Sequence, residues 1–382
     1  MNERTILIGE YLSGGYCISE LARRRGVSRK TAFKWIERYE QEGWEGLRDQ
    51  SRAPHHQPRA ISPQMEQRIL ELKARWPLWG APKIHVKLQG YSGCPSESTV
   101  SNVLQRHGLS RPVRRRRRAT PSEGPLSYGE GPNQVWCADF KGWFRTGDGR
   151  RCEPLTISDA HSRYLLCCQT VGTTTAMVTV QPMFEATFRE YGLPEMIRTD
   201  NGPPFASNGF AGLTTLSVWW LKLCIGLQRI QPGQPQQNGR HERMHRTLKE
   251  ATAKPPRANL AQQQKAFDRF RWEYNEERPH EALGQKPPAT LYEASPREFP
   301  TRLPSPEYPE QWSVRKVHPG GQVRWQGQKV HVSHALIGQH VAFNPIDDGL
   351  WAVYFGKMEL AHWDEWSKRI VPVKILPIEL KL

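Results

Sequence analysis

Hydrophobic positions at helical spacing dominate the first third of the chain. Over residues 18–39, apolar side chains are placed for two short helices: Ser19 is suited to cap the first, Gly26 to end it and Ser28 to cap the second. The pattern predicts a helix-turn-helix unit over residues 1–56. An ordinary helical hairpin with a solvated basic face is the alternative interpretation.

A second helical pattern follows over residues 60–112. Ser62 and Pro63 are suited to begin one helix, the run WGAPKIHVKL predicts another, and Ser96 is suited to cap a third that ends near Gly108. These signals predict a second helical unit of the helix-turn-helix or winged-helix type.

The pattern changes at Asn133 to strand-like runs rich in aromatic and branched residues. NQVWCADFKGWF and RCEPLTISDAHSRYLLCCQTV predict strands joined by a turn at Gly147, Asp148 and Gly149. Short strands in PEMIRT and LQRIQ then alternate with predicted helices. Those helices cover 174–191, 213–224, a segment from about 237, and 261–275. Strands first and alternation afterwards predict a mixed α/β layer domain over residues 131–297.

A period of two takes over beyond the proline-rich residues 298–309. Apolar residues alternate with polar ones between Gly- and Asp-containing turns, as in the pairs Val323 and Trp325, and Val341 and Phe343. This alternation predicts a small antiparallel β-barrel over residues 310–382. We therefore expect a multidomain chain with two helical units, an α/β core and a β-barrel.

Charge makes nucleic acid the expected partner. The chain has 54 Lys and Arg against 38 Asp and Glu, a formal charge of +16 and a pI near 9.7. Residues 1–118 contain 23 basic and 11 acidic side chains, a net charge of +12, so the excess is localised. The expected partner is double-stranded DNA. In the first helical unit, Arg29, Lys30 and Lys34 are candidate contacts.

Five consecutive arginines occupy the basic linker predicted over residues 113–130. These are Arg114, Arg115, Arg116, Arg117 and Arg118. Such a run repels itself when free and is expected to lie along DNA phosphates or a groove when bound. A linker that only increases solubility is the alternative.

Cysteine usage and hydropathy restrict the cellular compartments in which the protein is expected. The seven cysteines contain no Cys-x-x-Cys pair, so neither a disulfide framework nor a zinc ribbon is indicated. No signal peptide is recognised, and the most apolar run, residues 216–227, contains Lys222 and is too short to span a bilayer. We expect a cytoplasmic, nucleoid-associated protein with no membrane partner.

Three carboxylates stand at positions that suggest a shared site. Asp139 interrupts an apolar strand, where acids are uncommon. Asp200 directly follows a short strand, where open α/β sheets bind ligands, and Glu242 lies in the first turns of a helix, where the helix dipole favours an anion. Taken singly, each has a structural explanation: a strand edge, an Asx turn, or an ion pair with Arg246. Together they are the oxygen ligands that Mg²⁺ prefers, and they predict a two-metal site for phosphoryl transfer.

The motifs around these acids resemble the DDE transposases of the retroviral-integrase superfamily, specifically bacterial insertion-sequence transposases with an integrase catalytic core. ADFKG surrounds Asp139, TDNGPPF surrounds Asp200 and GQPQQNGRHERMHRTLK surrounds Glu242. The YNEERPHEALGQKPPATLY segment from Tyr274 is also typical of that group, and it is expected to close the core structurally. The resemblance extends over nearly the whole chain.

The resemblance implies that Asp139, Asp200 and Glu242 are the catalytic and metal-binding triad of a ribonuclease-H-like core. It implies two Mg²⁺ ions, which Mn²⁺ can replace, and a role for Lys249 at the DNA end. Lys249 lies seven residues after Glu242, on the same helix face. Arg240, Arg243, Arg246 and the two nearby histidines are expected to balance DNA phosphates.

Two departures from the family pattern affect the expectations. Between Asp200 and Glu242 there are 41 residues, a longer spacing than in many relatives, so extra loop residues are expected near residues 206–213. His55 and His56 lack the paired cysteines of the retroviral zinc-binding head, so no zinc is predicted.

The predicted function is that of a transposase. It binds the terminal inverted repeats of an insertion sequence, hydrolyses the 3′ ends and joins them to target DNA, as a homo-oligomer assembled on DNA. Two alternatives stay open: a domesticated DNA-binding regulator without catalysis, and a structure-specific nuclease on the same fold. The sequence does not reveal the end sequence, the target preference or the route of excision.

Overall fold

The computed structural model describes residues 3–49, 60–110, 126, 129–171, 176–207, 209–231 and 234–373. It divides into two compact units, Met1–Ser62 and Pro63–Leu382. The finer division of the second unit into domains stays a prediction. In the described part of the chain, no helix is both long enough and apolar enough to span a membrane.

The first unit is a small helical bundle. Its helices are α1 (Glu3–Leu12), α2 (Ile18–Arg24) and α3 (Arg29–Glu42). Ser28 caps α3 as predicted, because its Oγ accepts a hydrogen bond from the Thr31 amide at 3.1 Å. The predicted cap at Ser19 is wrong. The capping position of α2 is Cys17, whose extended backbone lets its amide donate to the Glu20 carboxylate at 3.0 Å.

The second unit begins with three more helices. They are α4 (Pro63–Arg75), α5 (Ala81–Leu88) and α6 (Glu97–Arg106), and they confirm the predicted helices. Ser96 caps α6 by accepting from the Thr99 amide at 3.3 Å. Ile69, Ile84 and Val100, one from each helix, are fully buried. They show that the apolar stripes of the three helices supply this small core.

A mixed α/β layer follows, as predicted. Its elements are β1 (Val135–Phe140), β2 (Phe144–Arg145), β3 (Arg151–Asp159), β4 (Leu165–Val171), α7 (Met177–Tyr191), β5 (Met196–Thr199), α8 (Thr215–Lys222), β6 (Gly226–Arg229), α9 (Gly239–Thr252) and α10 (Leu260–Trp272). The strand order is β4-β3-β1-β5-β6, and β2 pairs with the start of β3. Strands β1, β3 and β4 run antiparallel, whereas β5 and β6 continue parallel to β1.

Strand β1 lies in the middle of this sheet. Its first four residues are buried because β3 and β5 flank it and helices cover the layer, whereas its last two are only half-buried. The Cα partner of Asp139 is Thr156 on β3. Strands β1 and β5 are parallel, so their carboxyl ends, which precede or contain Asp139 and Asp200, lie at one edge.

The segment after α10 joins the α/β layer to the helices that precede it. Asn275 is buried, and its side-chain amide exchanges two hydrogen bonds with the backbone of Leu165 on β4, which supports the expected structural closure. Lys83 of α5 donates to the Pro279 carbonyl, and Lys87 pairs with Glu277 at 2.5 Å. Burial lowers the pKa of Lys83 to about 8. The sequence did not predict these contacts.

The last part of the chain is β-rich. Its strands are β7 (Ser313–Lys316), β8 (Gln322–Trp325), β9 (Gln328–His331), β10 (His340–Asp347), β11 (Leu350–Phe355), β12 (Met358–Asp364) and β13 (Arg369–Pro372). Five form a sheet in the order β13-β12-β11-β10-β7, and β8 and β9 pair as a separate hairpin. The predicted closed barrel is not confirmed, since within residues 310–373 no strand joins β7 to β13.

The sheet stays open because other elements cover its apolar face, so the sheet does not need to close into a barrel to bury that face. Trp325 of the β8–β9 hairpin stacks on Phe343 of β10, with ring centroids 4.1 Å apart. The buried residues of the sheet also form one continuous cluster with those around α7 and α8. Alternation therefore predicted which residues are buried, while the covering partner came from elsewhere in the chain.

Candidate active site

Asp139 is a half-buried carboxylate whose ionised form is disfavoured by its surroundings. Burial, followed by the negative charges of Asp200 and Glu242, raises its pKa to about 7. The Phe140 amide and the positive charge of Lys141 only partly offset this. An acid with such a pKa at the end of a central strand is a functional-site candidate, because its ionised form needs additional positive charge.

Asp200 occupies the turn that follows β5. Its Oδ1 accepts a hydrogen bond from the Gly202 amide at 3.2 Å, so the Asx turn that offered a structural explanation is present. The same turn is fixed to β6, since the Asn201 side chain donates to the Ile230 carbonyl at 2.7 Å. The turn orients the carboxylate and leaves its charge close enough to raise the pKa of Asp139.

Glu242 lies in the first turn of α9 and is exposed. It makes no salt bridge with Arg246, so the ion-pair explanation fails. Its negative charge contributes to the raised pKa of Asp139 and favours the charged form of Lys141. The positive charge of Lys249, two turns further along α9, helps to lower the pKa of Lys141, after burial. Lys249 and Glu242 therefore lie near the same lysine, on the same side of the helix, as their spacing predicted.

The donor set fits a hard divalent cation. It consists of three carboxylates, and the most buried of them is destabilised by the other two, so a shared cation would relieve the repulsion. Among the described residues, however, no three His, Cys, Asp or Glu side chains lie close enough to form a complete ligand group. The three carboxylates are thus close enough to influence one another electrostatically, but they do not form a complete set of metal ligands.

The two histidines beside Glu242 form a buried network. His241 Nε2 and His245 Nε2 each lie 2.7 Å from Thr156 Oγ1, and His241 Nδ1 lies 2.8 Å from Ser158 Oγ. Burial lowers the pKa of His241 to about 3 and also lowers that of His245. The expectation that these histidines balance DNA phosphates is therefore wrong, since both are neutral and face β3.

This network fixes the backbone of Asp139. Thr156 Oγ1 donates a hydrogen bond to the Asp139 carbonyl oxygen at 3.0 Å and therefore accepts from the Nε2–H groups of His241 and His245. The signal for it was present in the sequence. His241, Met244, His245 and Leu248 recur at helical spacing and form the buried face of α9.

A pH dependence of stability follows from the buried histidines. An unfolded chain binds a proton on His241 below about pH 6.5, whereas the folded chain resists it down to about pH 3. We therefore expect the unfolding free energy to fall by about 1.4 kcal/mol per pH unit as pH decreases from 6.5, for each neutral histidine. Urea denaturation between pH 7.5 and 5 measures this slope.

The control for that measurement is His241→Gln, which keeps an amide near Thr156 and cannot titrate. Asp139 shifts stability in the opposite direction over part of this range, because its raised pKa favours the protonated folded state. Comparing the two proteins cancels that contribution. Identical pH slopes for wild type and variant would contradict the buried neutral state of His241.

Arg198 links the strands of the site to helix α9. Its guanidinium is fully buried and donates to Gln228 Oε1 at 3.1 and 2.9 Å and to the Gln237 carbonyl at 3.3 Å. Gln237 belongs to the turn that immediately precedes α9. One side chain thus connects β5, β6 and the start of the helix that carries Glu242. The sequence predicts only that this position belongs to a short strand.

The residues predicted to contact DNA differ in their exposure and in their contacts with the rest of the protein. Arg29, Lys30 and Lys34 are exposed in the first turns of α3, and Arg243, Arg246 and Lys249 are exposed on α9. Arg240 is exposed too, but its Nη1 donates to the Ala160 carbonyl at 3.0 Å, so it also anchors α9 to the core. Arg114, Arg115, Arg116, Arg117 and Arg118 lie outside the described residues, as do His55 and His56.

Family models match successive parts of the chain. Two models described as "Integrase core domain" match residues 129–234 and 223–288, and "IS481 family transposase, C-terminal domain" matches residues 312–370. At the other end, "Helix-turn-helix domain" matches residues 3–55 and "Homeodomain-like domain" matches residues 31–104. The matched core segment contains Asp139, Asp200 and Glu242.

Similar proteins come from bacterial insertion elements. An uncharacterized 31.7 kDa protein of insertion element IS407 from Burkholderia multivorans is 26% identical over 224 residues, 58% of this chain and 78% of that protein. An uncharacterized 39.2 kDa protein of insertion element IS476 from Xanthomonas euvesicatoria is 27% identical over 237 residues, 61% of this chain and 65% of that protein.

Among solved structures, a chain of the simian T-cell lymphotropic virus intasome in complex with the PP2A regulatory subunit B56 gamma is similar over 76% of this chain and 97% of its own, at 16% identity and a TM-score of 0.38.

Proposed function

The chain belongs to the insertion-sequence transposases of the integrase superfamily, and we propose that it binds the terminal inverted repeats of its element, hydrolyses their 3′ ends and joins them to target DNA. The observation that carries this proposal is the position of Asp139 at the carboxyl end of the central strand, where burial and then the nearby negative charges of Asp200 and Glu242 raise its pKa to about 7. It supports a shared task for three carboxylates that are distant in sequence.

Asp139, Asp200 and Glu242 would together hold two Mg²⁺ ions, or Mn²⁺ in their place. Bound there, divalent ions supply a more acidic water or 3′-hydroxyl and offset the charge of the leaving oxygen. The protein contributes the rigid support. Thr156 and the buried histidines fix the strand that carries Asp139, and the Asx turn orients Asp200. The amino end of α9 favours the negative charge of Glu242.

The cations around the acids would hold the substrate. Lys141 and Lys249 flank the carboxylates, and Arg243 and Arg246 are exposed on the same helix as Glu242. Phosphate groups contacted by these side chains would fix the position of the scissile bond relative to Asp139. Because each such contact releases counterions, binding is expected to weaken steeply with salt.

End recognition would fall to the helical units. Helix α3 begins with exposed Arg29, Lys30 and Lys34, which supports a major-groove role for this helix. We extend the proposal to Arg114–Arg118, as phosphate contacts between the helical units and the core. Joining two ends requires at least two protomers on DNA, so a DNA-assembled homo-oligomer is part of the proposal.

The proposal is tested by strand transfer. Wild-type protein, incubated with Mg²⁺ and duplexes ending in the inverted repeat that flanks its coding region, is expected to give both nicked ends and products joined to a target plasmid. A structure-specific nuclease would cut without joining. A DNA-binding regulator would shift the duplex on a gel and leave it intact, and either result would contradict the transposase function.

A further inference from the structure

A small pocket opens beside the carboxylates. It encloses about 220 Å³ between the turn that follows β1 and the carboxyl-terminal half of α9. Its lining combines the apolar side chains of Phe144, Leu248 and Phe267 with the positively charged Lys141 and Lys249. Lys141 is two residues from Asp139, so the pocket adjoins the acids. It has room for one planar ring system and excludes a duplex.

Trp143 is an exposed tryptophan in the lining of this pocket. Its side chain is 55% exposed, although tryptophan is one of the residues that folding usually buries. The guanidinium carbons of Arg145 and Arg151 lie 5.8 and 5.3 Å from the centroid of its ring. The pocket thus combines an exposed indole, which the two arginines contact, with the positive charges of Lys141 and Lys249 in its lining.

That combination fits a nucleotide better than other occupants. Exposed aromatic rings among basic side chains stack the bases of unpaired strands, and the cations take the phosphates. An apolar peptide segment would need no cations, and a free phosphate would need no apolar lining. Since bases inside a duplex are stacked on their neighbours, a base can enter such a pocket only after it has turned out of the helix.

We propose that the pocket between Trp143 and α9 holds one base of the element's end, turned out of the duplex next to the phosphate that is cut. This inference rests on the transposase function proposed above. Lys141 and Lys249 contact the phosphates on either side of the extruded base, and Trp143 stacks on it. The pocket thereby sets which phosphodiester faces Asp139 and selects the exact end of the element.

The effect of the stacking is measured with Trp143→Ala and Trp143→Phe. Loss of one base stack is expected to lower the rate of end hydrolysis between about tenfold and a hundredfold in Trp143→Ala. Trp143→Phe retains a ring and is expected to retain most of the activity. Trp272→Ala removes an equally exposed tryptophan, on α10 outside the pocket, and is expected to leave the rate unchanged.

A fluorescent base reports the extrusion directly. With 2-aminopurine placed at successive positions near the end, one position is expected to brighten when full-length wild-type protein binds, and Trp143→Ala is expected to abolish that rise. An abasic site at the same position removes the unstacking cost and is expected to restore much of the activity of Trp143→Ala. Melting temperatures within a few degrees of wild type verify that the variants fold.

Two outcomes would overturn the inference. If Trp143→Ala hydrolyses ends at the wild-type rate and no position brightens, the pocket takes no base. If Trp143→Ala loses activity without any base-specific change and without abasic rescue, the ring packs against protein. Both outcomes leave wild-type strand transfer intact. Failure of the transposase function would instead abolish hydrolysis by the wild type itself.

Discussion

Asp139→Asn is expected to lower end hydrolysis and strand transfer together by at least about a thousandfold, the scale seen when one member of a catalytic unit is removed. The amide has almost the shape of the carboxylate, but it lacks the charge that a divalent cation requires. Rates are measured with Mg²⁺ on inverted-repeat duplexes under single-turnover conditions. DNA binding is expected to persist, because the helical units and exposed cations are unchanged.

The same substitution is expected to stabilise the metal-free fold. At pH 8 the Asp139 carboxylate is ionised against the burial and neighbouring charges that raise its pKa to about 7. Removing that charge is expected to raise the unfolding free energy in EDTA by at least about 1 kcal/mol. The advantage is expected to shrink as pH falls from 7 towards 4, since the wild-type carboxyl group then becomes neutral in the folded state.

Asp159→Asn is the matched control, since Asp159 is a buried acid that ends the neighbouring strand β3. Its carboxylate accepts hydrogen bonds from the Asn133 amide at 2.8 Å and from the amide and hydroxyl of Ser162 at 2.6 Å each. Losing an acceptor there is expected to destabilise the fold. If both asparagine variants lose stability alike, the repulsion between Asp139 and its neighbours is not real.

The sequence singled out Asp139 because an acid there broke a local rule, whereas Asp200 and Glu242 stand in a turn and at a helix start, which favour acids. Asp139 interrupts an apolar strand, and it does lie at the end of the central strand of the sheet. The caps at Ser28 and Ser96 were also predictable, because a serine before an amphipathic segment satisfies an amide of the helix within three residues. Such signals need only the neighbouring residues, although the same reasoning placed a cap at Ser19 where the structure has Cys17.

Features that depend on distant partners were missed. Helix α1 was not predicted, and its buried residues Leu7 and Ile8 pack with residues of the other two helices. The β-barrel was predicted from alternation, which fixes the buried face but not the strand that covers it. His241 and His245 share the helical spacing of the buried face of α9, but the partners that satisfy them there, Thr156 and Ser158 of β3, are distant in sequence.

Arg198 is the clearest example of a role that sequence could not assign, and its replacement is expected to have the second large effect. Arg198→Met removes the donor that joins Gln228 to the Gln237 carbonyl and leaves both acceptors buried. We expect a loss of about 3 kcal/mol of unfolding free energy, measured by urea denaturation. Activity is expected to fall as well, because the turn before α9 loses its anchor.

A second substitution separates stability from positioning. In Arg198→Met with Gln228→Met, both partners are apolar and of similar length, so much of the lost stability is expected to return. End hydrolysis is expected to stay low, because the Gln237 carbonyl, at the turn before the helix that carries Glu242, then lacks its hydrogen bond from the Arg198 guanidinium. If activity returns together with stability, Arg198 only stabilises the core. If activity stays low in a stable protein, Arg198 positions the third carboxylate.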